Sequence, residues 1–167
     1  PQFRGSAGFG DAFEKAGFGE WGGKMQTDLL DGVAALAATG EIDPKRVCIV
    51  GASFGGYAAL AGASLHPDAY RCAASIAGVA DLGLLMIEQG RLYGRESAGL
   101  GELKGMLGRS STEKIMATSP ARQATKVQAP ILLIHGDKDT VVLPEQSEVM
   151  AKALKAAGRP VIGFGAG

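Results

Sequence analysis

Val47-Cys48-Ile49-Val50-Gly51-Ala52-Ser53-Phe54-Gly55-Gly56-Tyr57-Ala58-Ala59-Leu60-Ala61 is the stretch that decides the fold. Its first four residues are an uninterrupted apolar run and read as a buried strand. Its last five are rich in alanine and favour helix. Between them stands Gly-x-Ser-x-Gly, from Gly51 to Gly55. Strand, sharp turn and helix with a serine at the apex make a nucleophile elbow. The turn is too tight for side chains beside the serine, so Gly51 and Gly55 are expected to supply room. The serine then sits in a strained backbone with its oxygen exposed above the strand. The following helix points its N-terminus at the site, where its dipole and free N–H groups favour a developing oxyanion. The competing reading is a plain Gly-Ser turn between a core strand and a packing helix. The strand before and the helix after favour the elbow.

Upstream, Met25, Leu29, Val33 and Leu36 recur at helical spacing and share a stripe with Leu30 and Ala37. Gly40 ends that helix, and Asp43-Pro44 turns the chain into the strand. Residues 1–23 are rich in glycine and in aromatics (Phe3, Phe9, Phe13, Phe18, Trp21) and lack periodicity. They read as loop with one short helix. Within them, Gly17-Phe18-Gly19-Glu20-Trp21-Gly22 fits the dinucleotide fingerprint. That fingerprint requires a strand immediately before it. Residues 11–16 are charged and unlike a strand, so it is rejected.

Downstream, His66-Pro67 closes the elbow helix, and Cys72-Ala73-Ala74-Ser75-Ile76-Ala77 reads as a second strand. Residues 81–108 are weakly helical and broken by glycine, and are expected above the sheet near the site. Ile131-Leu132-Leu133-Ile134 is a continuous aliphatic run, hence a buried strand. Pro144 starts a helix with Val149, Met150, Ala153 and Leu154 on one face; Gly158 caps it, and Val161-Ile162 opens another strand. Alternating strands and helices predict an α/β fold with a mostly parallel sheet and helices on both faces. No repeat and no linker divides residues 1–167, which read as one domain.

A chain of 167 residues, 46% of them hydrophobic, can bury a real core. Seventeen basic and 17 acidic residues cancel, so there is no electrostatic footprint for nucleic acid or an anionic membrane. No apolar run reaches the length of a membrane span. Cys48 and Cys72 each sit in an apolar strand-like run and read as buried free thiols, with a disulfide as the alternative that nothing in the sequence supports. No cofactor and no metal is expected.

A serine hydroxyl needs a base within hydrogen-bond reach, and the base needs an orienting acid. Behind an elbow the order along the chain is serine, acid, histidine. Asp137 and Asp139 both follow the strand at 131–134; Asp139 is the preferred acid and Asp137 a turn residue. The sequence has two histidines, His66 and His135. Neither follows Asp139. His66 closes a helix, and His135 reads as structural.

The chain resembles the catalytic domain of the prolyl oligopeptidase family of serine peptidases, in its dipeptidyl aminopeptidase and acylaminoacyl peptidase branch. The matching residues are Phe3-Arg4-Gly5-Ser6, Gly8-Phe9-Gly10, Trp21-Gly22, Met25-Gln26, Asp28, Ile42-Asp43-Pro44, Gly51 to Tyr57 and His135-Gly136-Asp137-Lys138-Asp139-Thr140-Val141. The resemblance implies an α/β-hydrolase fold, Ser53 as nucleophile, Asp139 as acid and the backbone N–H of Phe54 in the oxyanion hole. It implies a peptide substrate, and a β-propeller domain in the full-length protein. It also implies earlier strands and a histidine a short loop beyond the strand at Val161. The chain instead ends Gly163-Phe164-Gly165-Ala166-Gly167. It is therefore read as a fragment of such a domain, shortened at both ends, inactive by itself, with its elbow strand exposed as a sheet edge. Two other readings compete with the peptidase: an esterase of the same fold, and a non-catalytic binding module.

Overall fold

The computed structural model describes residues 2–108 and 110–166. Pro1, Arg109 and Gly167, the last residue of the glycine-rich tail, lie outside the described residues. Four strands form one sheet: β1 (Cys48–Ala52), β2 (Cys72–Ile76), β3 (Ile131–Gly136) and β4 (Val161–Ala166). They lie side by side in sequence order, and each neighbouring pair is parallel. The helices are α1 (Asp11–Lys15), α2 (Lys24–Ala38), α3 (Phe54–Leu65), α4 (Leu82–Tyr93), α5 (Ala98–Leu107), α6 (Thr112–Ala117) and α7 (Glu145–Ala156). A 3-10 segment, Pro120–Lys126, leads towards β3. The tail at residues 163–166 continues β4 and pairs with β3 from Leu133 to Gly136.

Register decides which side chains meet. Ile49, Ala73, Ile131 and Val161 are lateral partners and so share one face of the sheet. That face packs against Leu60 and Ala63 of α3 and Met150 and Leu154 of α7 in one cluster. Val50, Ala74, Leu132 and Ile162 share the other face. There Val50 is 66% exposed and Ile162 60% exposed, and Ile76 is 39% exposed. Helices on both faces are thus met on one face only among the described residues. The reason is topological. Right-handed crossovers that all step in one direction along a sheet put their helices on the same side.

β1 lies at one edge of this sheet. The predicted α2 stripe is graded: Met25 and Leu29 are buried, Val33 is half-buried and Leu36 is 44% exposed. The cysteines correct the expectation of buried free thiols. Cys48 and Cys72 are joined in a disulfide, and Cys48 is exposed. The cause is the register: they are lateral partners at the first pair of β1 and β2, with Cα atoms 4.7 Å apart, inside the range a disulfide spans.

Candidate active site

β1 ends at Ala52 and α3 begins at Phe54, so Ser53 alone turns the chain. Its φ of 53° and ψ of −118° are costly for a residue with a Cβ, on the order of 1–3 kcal/mol. Neighbours hold it there. The Ser53 N–H donates to the Ile76 carbonyl at 2.9 Å, and the Ser53 carbonyl accepts from the Tyr57 N–H at 3.0 Å. The serine does not use its side chain to cap α3. The Phe54 N–H lies in the first helical turn, ahead of the first intrahelical bond, where helix N–H groups have no partner of their own.

The glycines around the serine have different jobs from those expected. A Cβ on Gly51 would run into the Gly55 backbone carbonyl. The position of a Cβ on Gly55 itself is open space. The second residue that must lack a side chain is Gly56, where a Cβ would come 2.6 Å from the Gly78 Cα. Gly51 therefore makes the room that the motif demands, and Gly56 lets α3 touch the loop after β2.

Phe54 is packed in aromatic rings. Its centroid lies 4.5 Å from that of Trp21, edge-on, 5.6 Å from Tyr57 and 5.7 Å from Phe3. The Tyr57 hydroxyl donates to the Thr118 carbonyl at 2.9 Å. Burial pushes the Tyr57 phenol well above its ordinary range. The Phe3–Ser6 segment is pinned by Arg4. Its backbone N–H and Nε donate to Asp28 Oδ2 at 3.0 and 2.8 Å, and its Nη2 to Oδ1 at 2.6 Å. The side-chain hydrogen bond from Arg4 holds the Asp28 carboxyl below its ordinary value.

Beside Ser53 opens a groove of about 500 Å³. Phe3, Trp21, Met25, Phe54, Val79, Leu85, Leu103 and Val142 line it. Stretch 81–108 thus stands over the site, as α4 and α5. Val79, Leu85 and Leu103 were missed as site residues in the sequence. Their helical periodicity is weak, and only the fold brings them next to the elbow.

Asp139 lies in the loop after β3, half-buried. Its Oδ1 accepts from the N–H groups of Val141 and Val142 at 2.9 and 3.0 Å. Its Oδ2 stands 3.8 Å from His135 Nε2. His135 is buried with both ring nitrogens engaged: Nε2 with the Val142 carbonyl at 2.8 Å, Nδ1 with Ser147 Oγ at 2.7 Å. A carbonyl only accepts, so Nε2 donates to Val142. His66 caps the far end of α3, about 18 Å along a 12-residue helix from Ser53. Asp137 is exposed, and a Cβ on Gly165 of β4 would fall 2.8 Å from its Oδ1. No cluster of His, Cys, Asp and Glu able to hold a metal occurs among the described residues.

A serine at a strained strand-to-helix turn, on a parallel sheet and beside an apolar groove, has the arrangement of a nucleophile elbow in an α/β-hydrolase fold. Comparison with known proteins narrows this. The model of the prolyl oligopeptidase family matches residues 1–163, and the chain belongs to that family of serine peptidases. It is 35% identical over 160 residues to dipeptidyl aminopeptidase BIII of Pseudoxanthomonas mexicana, covering 95% of this chain and 23% of the relative. It is 32% identical over 166 residues to dipeptidyl peptidase family member 6 of Caenorhabditis elegans, covering 95% and 22%. Among solved structures, a puromycin-hydrolyzing peptidase of Mycobacterium tuberculosis superposes with a TM-score of 0.84 at 30% identity, over 97% of this chain and 24% of that one. An acylaminoacyl peptidase bound to Z-Gly-Gly-Phe-chloromethyl ketone superposes with a TM-score of 0.82 at 27% identity, over 97% and 26%. The chain thus spans about a quarter of the length of the relatives it matches.

Proposed function

We propose that residues 1–167 carry the nucleophile and the acid of a serine peptidase, within an α/β-hydrolase domain of a larger protein. The backbone at Ser53 is the observation that carries this reading: an L residue held at positive φ, above a strand, at a helix N-terminus. In the proposed reaction Ser53 Oγ attacks the carbonyl of a peptide bond as a base removes its proton. The oxyanion of the tetrahedral intermediate meets the Phe54 N–H and the positive end of α3. Collapse expels the amine, protonated by the same base, and leaves an acyl group on Ser53 that water removes. Asp139 orients the base. The apolar groove accepts the side chain on the acyl side of the bond.

The base is an imidazole from outside these 167 residues. His135 spends both nitrogens on structure, and His66 caps the wrong end of α3. Alone, the chain is therefore inactive. Family resemblance adds the expectation of a β-propeller domain in the whole protein. A fluorophosphonate probe at stoichiometric ratio tests the assignment. The complete protein is expected to be labelled rapidly at Ser53, and the 167-residue chain slowly or not at all. Rapid labelling of the chain alone would mean that it supplies its own base.

A further inference from the structure

Asp81, Glu88, Ser119 and Gln146 are polar residues buried between α4, α7 and the loop leaving β2. Gln146, on the first turn of α7, is fully buried. Its Oε1 accepts from the N–H groups of Ala80 and Asp81, both at 2.9 Å. Its Nε2 donates to Glu88 Oε2 at 2.7 Å and to the Asp81 carbonyl at 3.3 Å. One amide side chain thus ties three elements together, with its acceptor facing two donors and its donor facing two acceptors.

What it ties are walls of the groove. Val79 precedes the two clamped N–H groups and lines the groove with Ser53. On α4, Leu85 lies one turn before Glu88 and Gln89 directly after it, and both line the same groove. Neither Gln146 nor Glu88 touches it. The hydrolytic steps above use neither of them.

We propose that Gln146 and Glu88 are positioning residues that hold the Val79 loop against α4, and so set the groove beside Ser53 and the acyl side chains it accepts. The proposal rests on reading that groove as the acyl side-chain site. Burial raises the Glu88 carboxyl above its ordinary value, opposed by the Gln146 hydrogen bond; Glu145 and Asp81 act with burial and Arg91 against it. Glu88 Oε1 finds no partner among the described residues. The Glu88–Gln146 contact pairs an amide donor with a carboxyl acceptor and can be made in the reverse order, whereas the donation from Gln146 to the Asp81 carbonyl cannot.

The reversal is the test. Gln146→Leu, Gln146→Glu, Glu88→Gln and the double exchange Glu88→Gln with Gln146→Glu are made in the complete protein. One readout is hydrogen exchange at the Ala80 and Asp81 amides, which needs no activity. The other is the ratio of kcat/KM for two peptide amides that differ only in a phenylalanine or an alanine at the acyl position. Gln146→Leu is expected to speed exchange at both amides about tenfold or more and to lower the ratio by a similar factor, mainly through KM. Gln146→Glu at pH 7 sets two carboxyl groups face to face and should do the same. Glu88→Gln keeps an acceptor and should change little. The double exchange, close to wild type in volume, keeps the acceptor for the Ala80 and Asp81 N–H groups and remakes the contact to position 88 but not the one to the Asp81 carbonyl, so it should recover most of both readouts relative to Gln146→Glu, and it decides the matter even if the leucine variant does not fold. A double exchange no better than Gln146→Glu overturns the proposal, as does altered exchange with an unchanged substrate ratio. If the wild-type protein shows no Ser53-dependent hydrolysis, the peptidase reading fails separately, and amide exchange alone upholds or overturns the clamp.

Discussion

Gly56 and Gly78 meet backbone to backbone, so close that a Cβ on Gly56 would lie 2.6 Å from the Gly78 Cα. This contact docks the elbow helix on the loop after β2. Gly51 makes a second such contact at the elbow, against Gly55. Gly56→Ala and Gly51→Ala are therefore expected to destabilise by about 2 kcal/mol or more, because backbone cannot yield as a side-chain tip can. Gly55→Ala meets nothing within 4 Å and should stay within about 1 kcal/mol of wild type, helped by helix propensity. Denaturant unfolding of the three variants checks the order. Equal losses at Gly51 and Gly55 would contradict it.

The Arg4–Asp28 pair fastens the Phe3–Ser6 segment to α2. Arg4 holds the Asp28 carboxyl below the ordinary value of 3.8, so the folded state binds this proton less readily than the unfolded chain. The sign follows from linkage: the stabilisation is present above the unfolded value and is lost as pH falls through the lower folded one. Asp28→Asn should thus cost stability at neutral pH and shrink the difference from wild type as the solution is acidified towards and below pH 3.8. Thermal melting from neutral to acid pH measures it. A gap that widens on acidification would contradict the assignment.

The elbow was legible in sequence because all its parts are local: an apolar run, Gly51, Ser53 and an alanine-rich helix lie within 15 residues. The β3 strand was legible for the same reason, in Ile131 to Ile134. What escaped was set by partners distant in sequence. Gly56 needs Gly78, and Cys48 needs the register that puts Cys72 opposite it. The groove walls at Val79, Leu85 and Leu103 become neighbours of Ser53 only once α4 and α5 are placed. The bare sheet face depends on strand order, which alternation of strand and helix leaves open.

That face carries Val50, Ile76 and Ile162 exposed, on a sheet whose edge strands among the described residues are β1 and β4. At about 25 cal/mol per Å², a few hundred square ångströms of apolar surface in water is worth several kcal/mol. A typical domain has a net stability of only about 5–15 kcal/mol. The isolated 167-residue chain is therefore expected to bind ANS and to aggregate, and Val50→Lys with Ile162→Lys should reduce both. A soluble monomer that melts cooperatively and binds no ANS would contradict this.

Asp139 and Asp137 share one loop but differ in setting: Asp139 is anchored by two backbone N–H groups, and Asp137 is exposed beside β4. In the complete protein, Asp139→Asn should lower kcat by about 10³–10⁴-fold, the scale expected for a triad acid. Asp137→Asn should leave kcat near wild type. Loss on Asp137→Asn alone would assign the acid to the other carboxylate.

The most direct measurement is the turnover of peptide amides by Ser53→Ala in the complete protein, beside wild type and with folding checked by circular dichroism. Members of a catalytic triad act as a unit, so loss of the nucleophile is expected to lower kcat by at least about 10⁴-fold while the fold is retained. A folded Ser53→Ala protein that hydrolyses peptides near the wild-type rate would contradict the account at its centre.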